Sequence, residues 1–404
     1  MKKFVSFALS AVMALGVGAS LVSCGDEKDP VVALIALHDD NSTYDKNFID
    51  AFKEACANKG LTKKNYTIVT GIPESEECYN AAVDLAEEGY KGIFADSFGH
   101  EAHMINAAKE YPNVQFCHAT GTQAHTAGLD NFHNAFAAIY EGRYLAGVAA
   151  GLKLNEMIAD GDITADQAKM GYVGAFTFAE VISGYTSFYL GAKSVCPTVT
   201  MEVQFTGSWY DEAAEKTAAE NLINNKGCKL ISQHADSMGA PTACETAGVP
   251  NVSYNGSTEH ACPNTFIISS RINWVPYFEM MIDGVQKGTN IPTDYTGTIA
   301  SNSVVLTGLG AKAPAEGTQA VLDAVKAQLV AGELKVFNLS TFTVGGNVVA
   351  DDHKADVDTD AAYTPDTVVI KSAQDVKYFA ESEFRSGPYF DLRIDGITLI
   401  NEMY

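Results

Sequence analysis

Two segments of this chain carry the same features in the same order. "YTIVTGIPESEECYNAAVDLAEEGYKGIFADSFG" (66–99) and "MEVQFTGSWYDEAAEKTAAENLINNKGCKLISQHADSMG" (201–239) both read strand, Thr-Gly, acidic loop, amphipathic helix, strand, and a corner spelled Ala-Asp-Ser. In the two helices Ala81, Ala82, Leu85 and Ala86, and Ala214, Ala218, Leu222 and Ile223, fall at helical spacing between acids and amides. The correspondence runs on to "PNVQF" (112–116) and "PNVSY" (250–254), and back to the apolar strands in "VVALIALHDD" and "MGYVGAFTFAE". Strands alternating with helices require crossover connections and parallel sheets. Two such halves predict an α/β protein of two similar lobes. In open α/β sheets the ligand crevice lies beyond the carboxyl ends of the strands, so each Ala-Asp-Ser corner is expected to face one shared cleft. Helix capping by the same Asp and Ser side chains is the competing expectation.

Bulk composition supports a globular chain and excludes one class of partner. Of 404 residues, 47% are hydrophobic and 19% charged, enough for a substantial core in two or three compact units. The net charge of -23 argues against nucleic acid, whose phosphates need clustered Lys and Arg. The start, "MKKFVSFALSAVMALGVGASLVSCGDEKDP", is charged, then apolar and small, then acidic, the pattern of an export signal over 1–23. Leu21, Val22 and Ser23 before Cys24 resemble a bacterial lipobox. Cys24 is therefore the expected lipidation site, with 24–30 as a tether to the membrane. The seven cysteines after it form no C-x-x-C pair, so neither a disulfide framework nor a zinc cluster is expected, and free buried thiols are.

The strand-end loops concentrate aromatic and acidic residues. Tyr44, Phe98, Phe176, Phe178, Trp209, Tyr210 and Tyr254 could sandwich a flat ligand, at about 1–3 kcal/mol per stacked base. Asp39, Asp40, Glu180 and Asp236, with the amides of Asn41 and Asn255, could read ring or hydroxyl edges. His118 and His234 lie near strand ends and could donate to a ligand or be satisfied in the core. "HEAH" places His100 and His103 one helical turn apart without an evident third metal ligand, so no metal is expected. The chain has no phosphate loop, no nucleophile elbow and no H-E-x-x-H, so a binding protein without a cofactor is expected rather than an enzyme.

With "FAAIYEGRYLAGVAAGLKL" (136–154), "GYVGAFTFAEVISGYTSFYLGAKSVCP" (171–197) and "FTGSWYDEAAEKTAAENLINNKGCKLISQHADS" (205–237), the chain resembles the basic membrane protein, or PnrA-like, family of ABC-transporter substrate-binding lipoproteins. The resemblance covers about Val31 to the middle 300s and implies a type I periplasmic binding protein of two Rossmann-like lobes. It implies residues 31–130 with 270–300 as one lobe, and 135–268 with 301–404 as the other, the latter carrying an acidic C-terminal extension. The hinges would lie near 125–135, 265–272 and 298–308. By the same resemblance Phe98, Trp209, Asp236 and Ser237 line the pocket with Tyr44, and Ser42 stands where a tryptophan is often found. Asn255 and Arg271 stand in or near the place of an acid and a lysine suited to ribose. That leaves base against nucleoside open, with Trp274 a candidate for the missing ring. The pocket set is then Asp40, Asn41, Tyr44, Ser97, Phe98, Phe178, Glu180, Trp209, Asp236, Ser237, Asn255 and Trp274. The implied function is capture of a purine nucleoside or nucleobase outside the membrane by a monomer that delivers it to ABC permease and ATPase subunits. The alternatives are a ligand sensor for a membrane signalling partner and a nucleoside hydrolase.

Overall fold

The computed structural model describes residues 29–358 and 364–404. The export signal and Cys24 lie outside the described residues. In chain order the first strands are β1 (Val32–Ile35), β2 (Tyr66–Val69), β3 (Gly92–Ala95), β4 (Gln115–Ala119) and β5 (Phe132–Ala137). They are followed by β6 (Lys169–Gly174), β7 (Thr200–Phe205), β8 (Leu230–Gln233), β9 (Asn251–Tyr254), β10 (Phe266–Ile272), β11 (Asp294–Gly297) and β12 (Val304–Leu306). One sheet has the order β11-β5-β4-β3-β1-β2. The other has the order β12-β10-β9-β8-β6-β7 and is extended at its β7 edge by a late strand. All pairings in the first sheet are parallel. In the second only β12 runs antiparallel to its neighbour β10. Strands β1, β3, β8 and β9 are buried at every position, as sheets covered by helices on both faces require.

The chain passes between lobes three times. It leaves the first sheet after β5 into helix 139–159, returns after β10 into helix 275–287, and leaves again between β11 and β12. The first crossing falls after Ala137, later than 125–135, because β5 completes its register with β4 and β11. Strand β10, residues 270–272 included, belongs wholly to the second sheet.

Helices 139–159 and 179–195 form the most extensive helix pair of the second lobe. They approach closely because glycines face the partner backbone. A Cβ at Gly147 would collide with the Phe188 carbonyl, and one at Gly191 with the Tyr144 carbonyl. The segment "EGRYLAGVAAG" is therefore first a packing surface, built of small residues on a helix with twelve buried positions.

Trp274 corrects one expectation. It is 2% exposed and stacks on Phe48 at 4.4 Å within a cluster completed by Phe94, Tyr277 and Phe278. It caps helix 275–287, which packs on helix 43–58, so its indole fills the first lobe's core and does not reach the cleft.

The C-terminal segment is more than the surface extension its composition suggests. After helix 318–330 come the short hairpins β13 (Lys354–Ala355) with β14 (Thr367–Val368) and β15 (Ile370–Ala373) with β16 (Val376–Phe379). Next comes β17 (Ile397–Leu399), the late strand, parallel to β7. Phe337, Phe379 and Phe390 join the main core, Phe337 stacking on Phe390 at 4.3 Å. The segment also touches the first lobe. Ser386 bonds Asp294 through its N–H (2.9 Å) and its hydroxyl (2.5 Å), and its hydroxyl accepts from Asn134 Nδ2 (2.7 Å). It thus spans both lobes rather than belonging to the second alone.

Candidate functional site

In each sheet the strand order reverses at one strand, β1 in the first and β6 in the second. Loops on either side of such a reversal diverge and leave a crevice. The cavity between the lobes is built from those loops. The first lobe supplies Leu37, His38, Tyr44 and Asp45 after β1, Ser97 and Phe98 after β3, and Thr120 after β4. The second supplies Glu180 after β6, Trp209 after β7, and His234 and Asp236 after β8. Counting its mouth and the open solvent there, the cavity has an empty volume of about 380 Å³.

The lobes are in contact. Asp236 presents its carbonyl to the Thr43 N–H (3.1 Å) and hydroxyl (3.2 Å), His38 faces Tyr210 with ring centroids 5.5 Å apart, and Phe98 meets Phe178 at 5.3 Å. Phe178 in turn stacks on Phe176 at 5.2 Å, and Phe176 meets Trp209 edge-on at 5.0 Å. The resulting aromatic wall crosses from one lobe to the other. Phe98 remains 39% exposed, which puts it at the mouth. Phe178 lines an outer chamber continuous with the cavity through Phe98, Thr120, Glu180 and Trp209. Arg385, Tyr389 and Tyr404 of the C-terminal segment close that chamber.

The two Ala-Asp-Ser corners divide their labour in opposite ways. In the first, Asp96 is fully buried and its Oδ1 accepts the Leu37 N–H at 3.1 Å, tying β3 to the loop after β1. Ser97 lines the cavity, and its hydroxyl donates to Glu74 Oε1 at 2.6 Å. In the second, Asp236 lines the cavity, whereas Ser237 turns into the fold, where its Oγ accepts the Gly239 N–H at 3.1 Å. Cleft lining therefore falls to the serine in one corner and to the aspartate in the other, and Ser97 is also the N-cap of the short turn that follows it.

Local backbone demands shape the rest of the wall. Ser42 caps helix 43–58 by accepting the Asp45 N–H (3.2 Å), which aims Asp45 back at the loop. Thr120 sits at φ 64°, costly for a β-branched residue. It is held there because the next residue, Gly121, has no Cβ to strike the Glu101 carboxylate. That carboxylate accepts the N–H groups of Thr122 and Gln123, both at 2.7 Å, and so fixes the "HATG" loop.

The cleft is a nest of carboxylates. Burial pushes Asp236 well above the usual carboxylate range, reinforced by Asp45, Glu215 and Glu180. Asp96 is pushed up in the same way, by burial and then by the Asp45 charge. Asp45 goes the other way. Burial would raise it, but hydrogen bonds from the His38 side chain and backbone and from Ser42 outweigh that and hold it below its ordinary value. Burial also keeps His234 neutral, against the pull of Glu180.

Of the expected pocket residues, Tyr44, Ser97, Phe98, Glu180, Trp209 and Asp236 come together around the cavity, and Phe178 lines its outer chamber. Asp40, Asn41 and Asn255 instead line a separate surface groove with Arg271. Ser237 and Trp274 line neither. His100 bonds the Ile72 carbonyl through Nε2 (2.9 Å), and among the described residues no three side chains form a metal-binding group. Sequence reasoning missed Leu37, His38, Asp45 and Thr120. For Asp45 a signal existed, the S-x-x-D spacing from Ser42, but it reads as a helix cap.

Residues 32–300 match the family described as ABC transporter substrate-binding protein PnrA-like. A purine-binding protein of Brucella abortus is 32% identical over 233 residues, covering 57% of this chain and 62% of that protein. A Haloferax volcanii protein bearing the name of an ABC transporter glucose-binding protein is 28% identical over 277 residues, covering 69% of this chain and 66% of its own length. An ABC transporter nucleoside-binding protein of Lactococcus lactis is 30% identical over 164 residues, covering 40% of this chain and 41% of that protein. The chain thus spans less than two thirds of the length of these relatives. Among solved structures, a solute-binding protein of Aeropyrum pernix superposes with a TM-score of 0.64 at 17% identity, covering 76% of this chain and 92% of that one. One from Conexibacter woesei superposes with a TM-score of 0.61 at 20% identity, covering 76% and 97%. The two-lobed fold and the match over most of the chain agree: the protein belongs to the PnrA-like family of ABC transporter substrate-binding proteins.

Proposed function

We propose that this protein captures a purine nucleoside or nucleobase outside the cell membrane and delivers it to an ABC importer. The observation that carries the ligand class is the combination around one interlobe cavity of aromatic side chains from both lobes, Tyr44, Phe98 and Trp209, with the carboxyl groups of Asp45, Glu180 and Asp236. Flat rings offer stacking surface, worth about 1–3 kcal/mol per base. Carboxyl groups satisfy the N–H and O–H donors that a purine or its ribose presents at its edge. The names of the Brucella and Lactococcus relatives point the same way. The lobes meet through Thr43 and Asp236, so hinge closure buries the ligand and reopening releases it to the permease. Lipidation at Cys24 tethers the protein to the membrane beside that partner.

Calorimetric titration with adenine, adenosine, guanosine, inosine, uridine and D-glucose tests the assignment. Glucose is included because a relative carries that name. Tight binding of at least one purine and weak binding of uridine and glucose is the expected result. Binding of glucose alone, or of none of the six by a folded protein, removes the purine assignment.

A further inference from the structure

Helix 139–159 carries an arginine that neither the family resemblance nor the cavity lining singles out. Arg143 is fully buried beneath the cleft floor, and among the described residues it makes no ion pair. Its guanidinium lies over the Tyr254 ring at 3.9 Å and near the Tyr172 ring at 5.3 Å. Nη2 donates to the Gln233 carbonyl (3.1 Å) and the Tyr172 hydroxyl, and approaches His234 Nδ1 at 3.4 Å, while Nε and Nη1 have no partner. A buried cation is expensive unless something nearby uses its charge. The group that can use it lies on the other side of one imidazole ring.

We infer that Arg143 positions the ligand-reading carboxylate Glu180 through His234, fixing the histidine tautomer so that Glu180 presents Oε2 to the cavity as a hydrogen-bond acceptor. A guanidinium can only donate, and although the two hydrogens of Nη2 must serve three neighbours, Gln233, Tyr172 and His234, any share that Nδ1 takes it takes as an acceptor; in the neutral ring the proton then sits on Nε2. The Tyr172 hydroxyl, 3.5 Å from the same Nδ1, makes the same demand once it has accepted from Arg143. Nε2 lies 3.4 Å from Glu180 Oε1, which also accepts the Tyr254 hydroxyl at 3.2 Å. The Tyr254 hydroxyl thus holds Oε1, with the His234 ring edge facing it. Glu180 Oε2 has no bond among the described residues, and Glu180 lines both the cavity and its outer chamber. The ligand edge that meets Glu180 is therefore one that carries N–H or O–H groups. Among purines that is an amino or ring N–H edge, or a ribose hydroxyl, and never a bare ring nitrogen.

This inference rests on the interlobe cavity being the binding site, but the test separates it from the purine assignment. The full chain, labelled with 15N-histidine, is examined by NMR, with the His234 signal identified by its loss in His234→Gln. The expected state is a neutral ring protonated on Nε2. In Arg143→Met that tautomer preference is lost, and in Arg143→Lys, whose ammonium can still donate, it persists. Titrations with adenine, adenosine and guanosine accompany the spectra. Arg143→Met and Glu180→Gln are expected to weaken the best of these ligands by a similar factor, roughly 10- to 100-fold, with Arg143→Lys recovering most of the loss. A wild-type His234 protonated on Nδ1 overturns the inference. So does a folded Arg143→Met protein that keeps full affinity while Glu180→Gln loses it. Should none of these purines bind the wild type, the purine assignment falls and the tautomer measurement still decides the inference.

Discussion

At the scale of single residues, the two tryptophans illustrate how unlike roles share one residue type. Trp209 stands in the cavity wall and Trp274 in the first lobe's core. Trp209→Ala is expected to leave the melting temperature nearly unchanged and weaken purine binding by roughly 10- to 100-fold. Trp274→Ala is expected to remove about 3–5 kcal/mol of stability through the cavity it leaves. Denaturant unfolding and calorimetry on both variants check the contrast, and a Trp274→Ala protein with normal stability contradicts the packing account. The thiols give a second prediction. All seven cysteines of the described chain are free and buried, and burial pushes Cys56, Cys117 and Cys228 up to about 12. Thiols so protonated and so shielded are poor nucleophiles. In the native full chain a thiol reagent should therefore find at most Cys24, and all seven others only after unfolding. Fast labelling of several thiols in the folded protein would refute this.

At the scale of elements, the helix pair 139–159 and 179–195 links packing to the site. One helix carries Arg143 and the other carries Glu180. Their separation is set by Gly147 and Gly191, which admit the partner backbone. Gly191→Ala places a Cβ against the Tyr144 carbonyl and must push the helices apart. The expected result is a clear drop in melting temperature together with weaker ligand binding, whereas an alanine at exposed Gly161, whose surroundings are open, should cost only its backbone strain at φ 82°. Thermal melts of the two variants, each with and without ligand, separate the effects. The late strand β17 is a second such link. Asn401 holds the Phe205 N–H (2.8 Å) and carbonyl (2.9 Å), and Met403 is tied to Thr177 through backbone and hydroxyl. In this way the chain's end fixes the loops that carry Phe178 and Trp209.

At the scale of the whole molecule, charge controls stability. Burial raises Glu141, Glu215 and Glu381 each to about 7 from 4.5. Unfolded, these groups release their protons near 4.5. Folded, they hold them to about 7, so across that window the native state binds more protons and stability falls as pH rises. The net charge of -23 acts in the same direction, since self-repulsion grows as carboxylates ionise. Asp45, held below its ordinary value, opposes this only below that window, whereas His100, His118, His133 and His234, kept neutral by burial, oppose it up to their ordinary 6.5. The melting temperature is therefore expected to be higher at pH 6.5 than at pH 8. A curve that rises with pH across this range would contradict the burial of these glutamates. Replacing Glu381 by Gln should flatten it in part.

Periodicity and repetition determined the two lobes, because a strand that alternates with an amphipathic helix has few ways to bury its faces, and a corner repeated in both halves marks the strand ends where a crevice must open. With the family resemblance they also pointed to six residues that line the cavity, Tyr44, Ser97, Phe98, Glu180, Trp209 and Asp236, all in strand-end loops or the first helical turns that follow them. Tertiary structure decided which corner residue turns inward, since Asp96 and Asp236 both stand between an alanine and a serine and differ in what packs beside them. It alone placed Trp274 in the core, where Phe48 and Phe94 converge from distant segments. It alone brought Arg143, His234 and Glu180 into line, because 37 and 54 residues of chain separate them in sequence, and burial and hydrogen-bond direction, which no local pattern encodes, decide what such groups do.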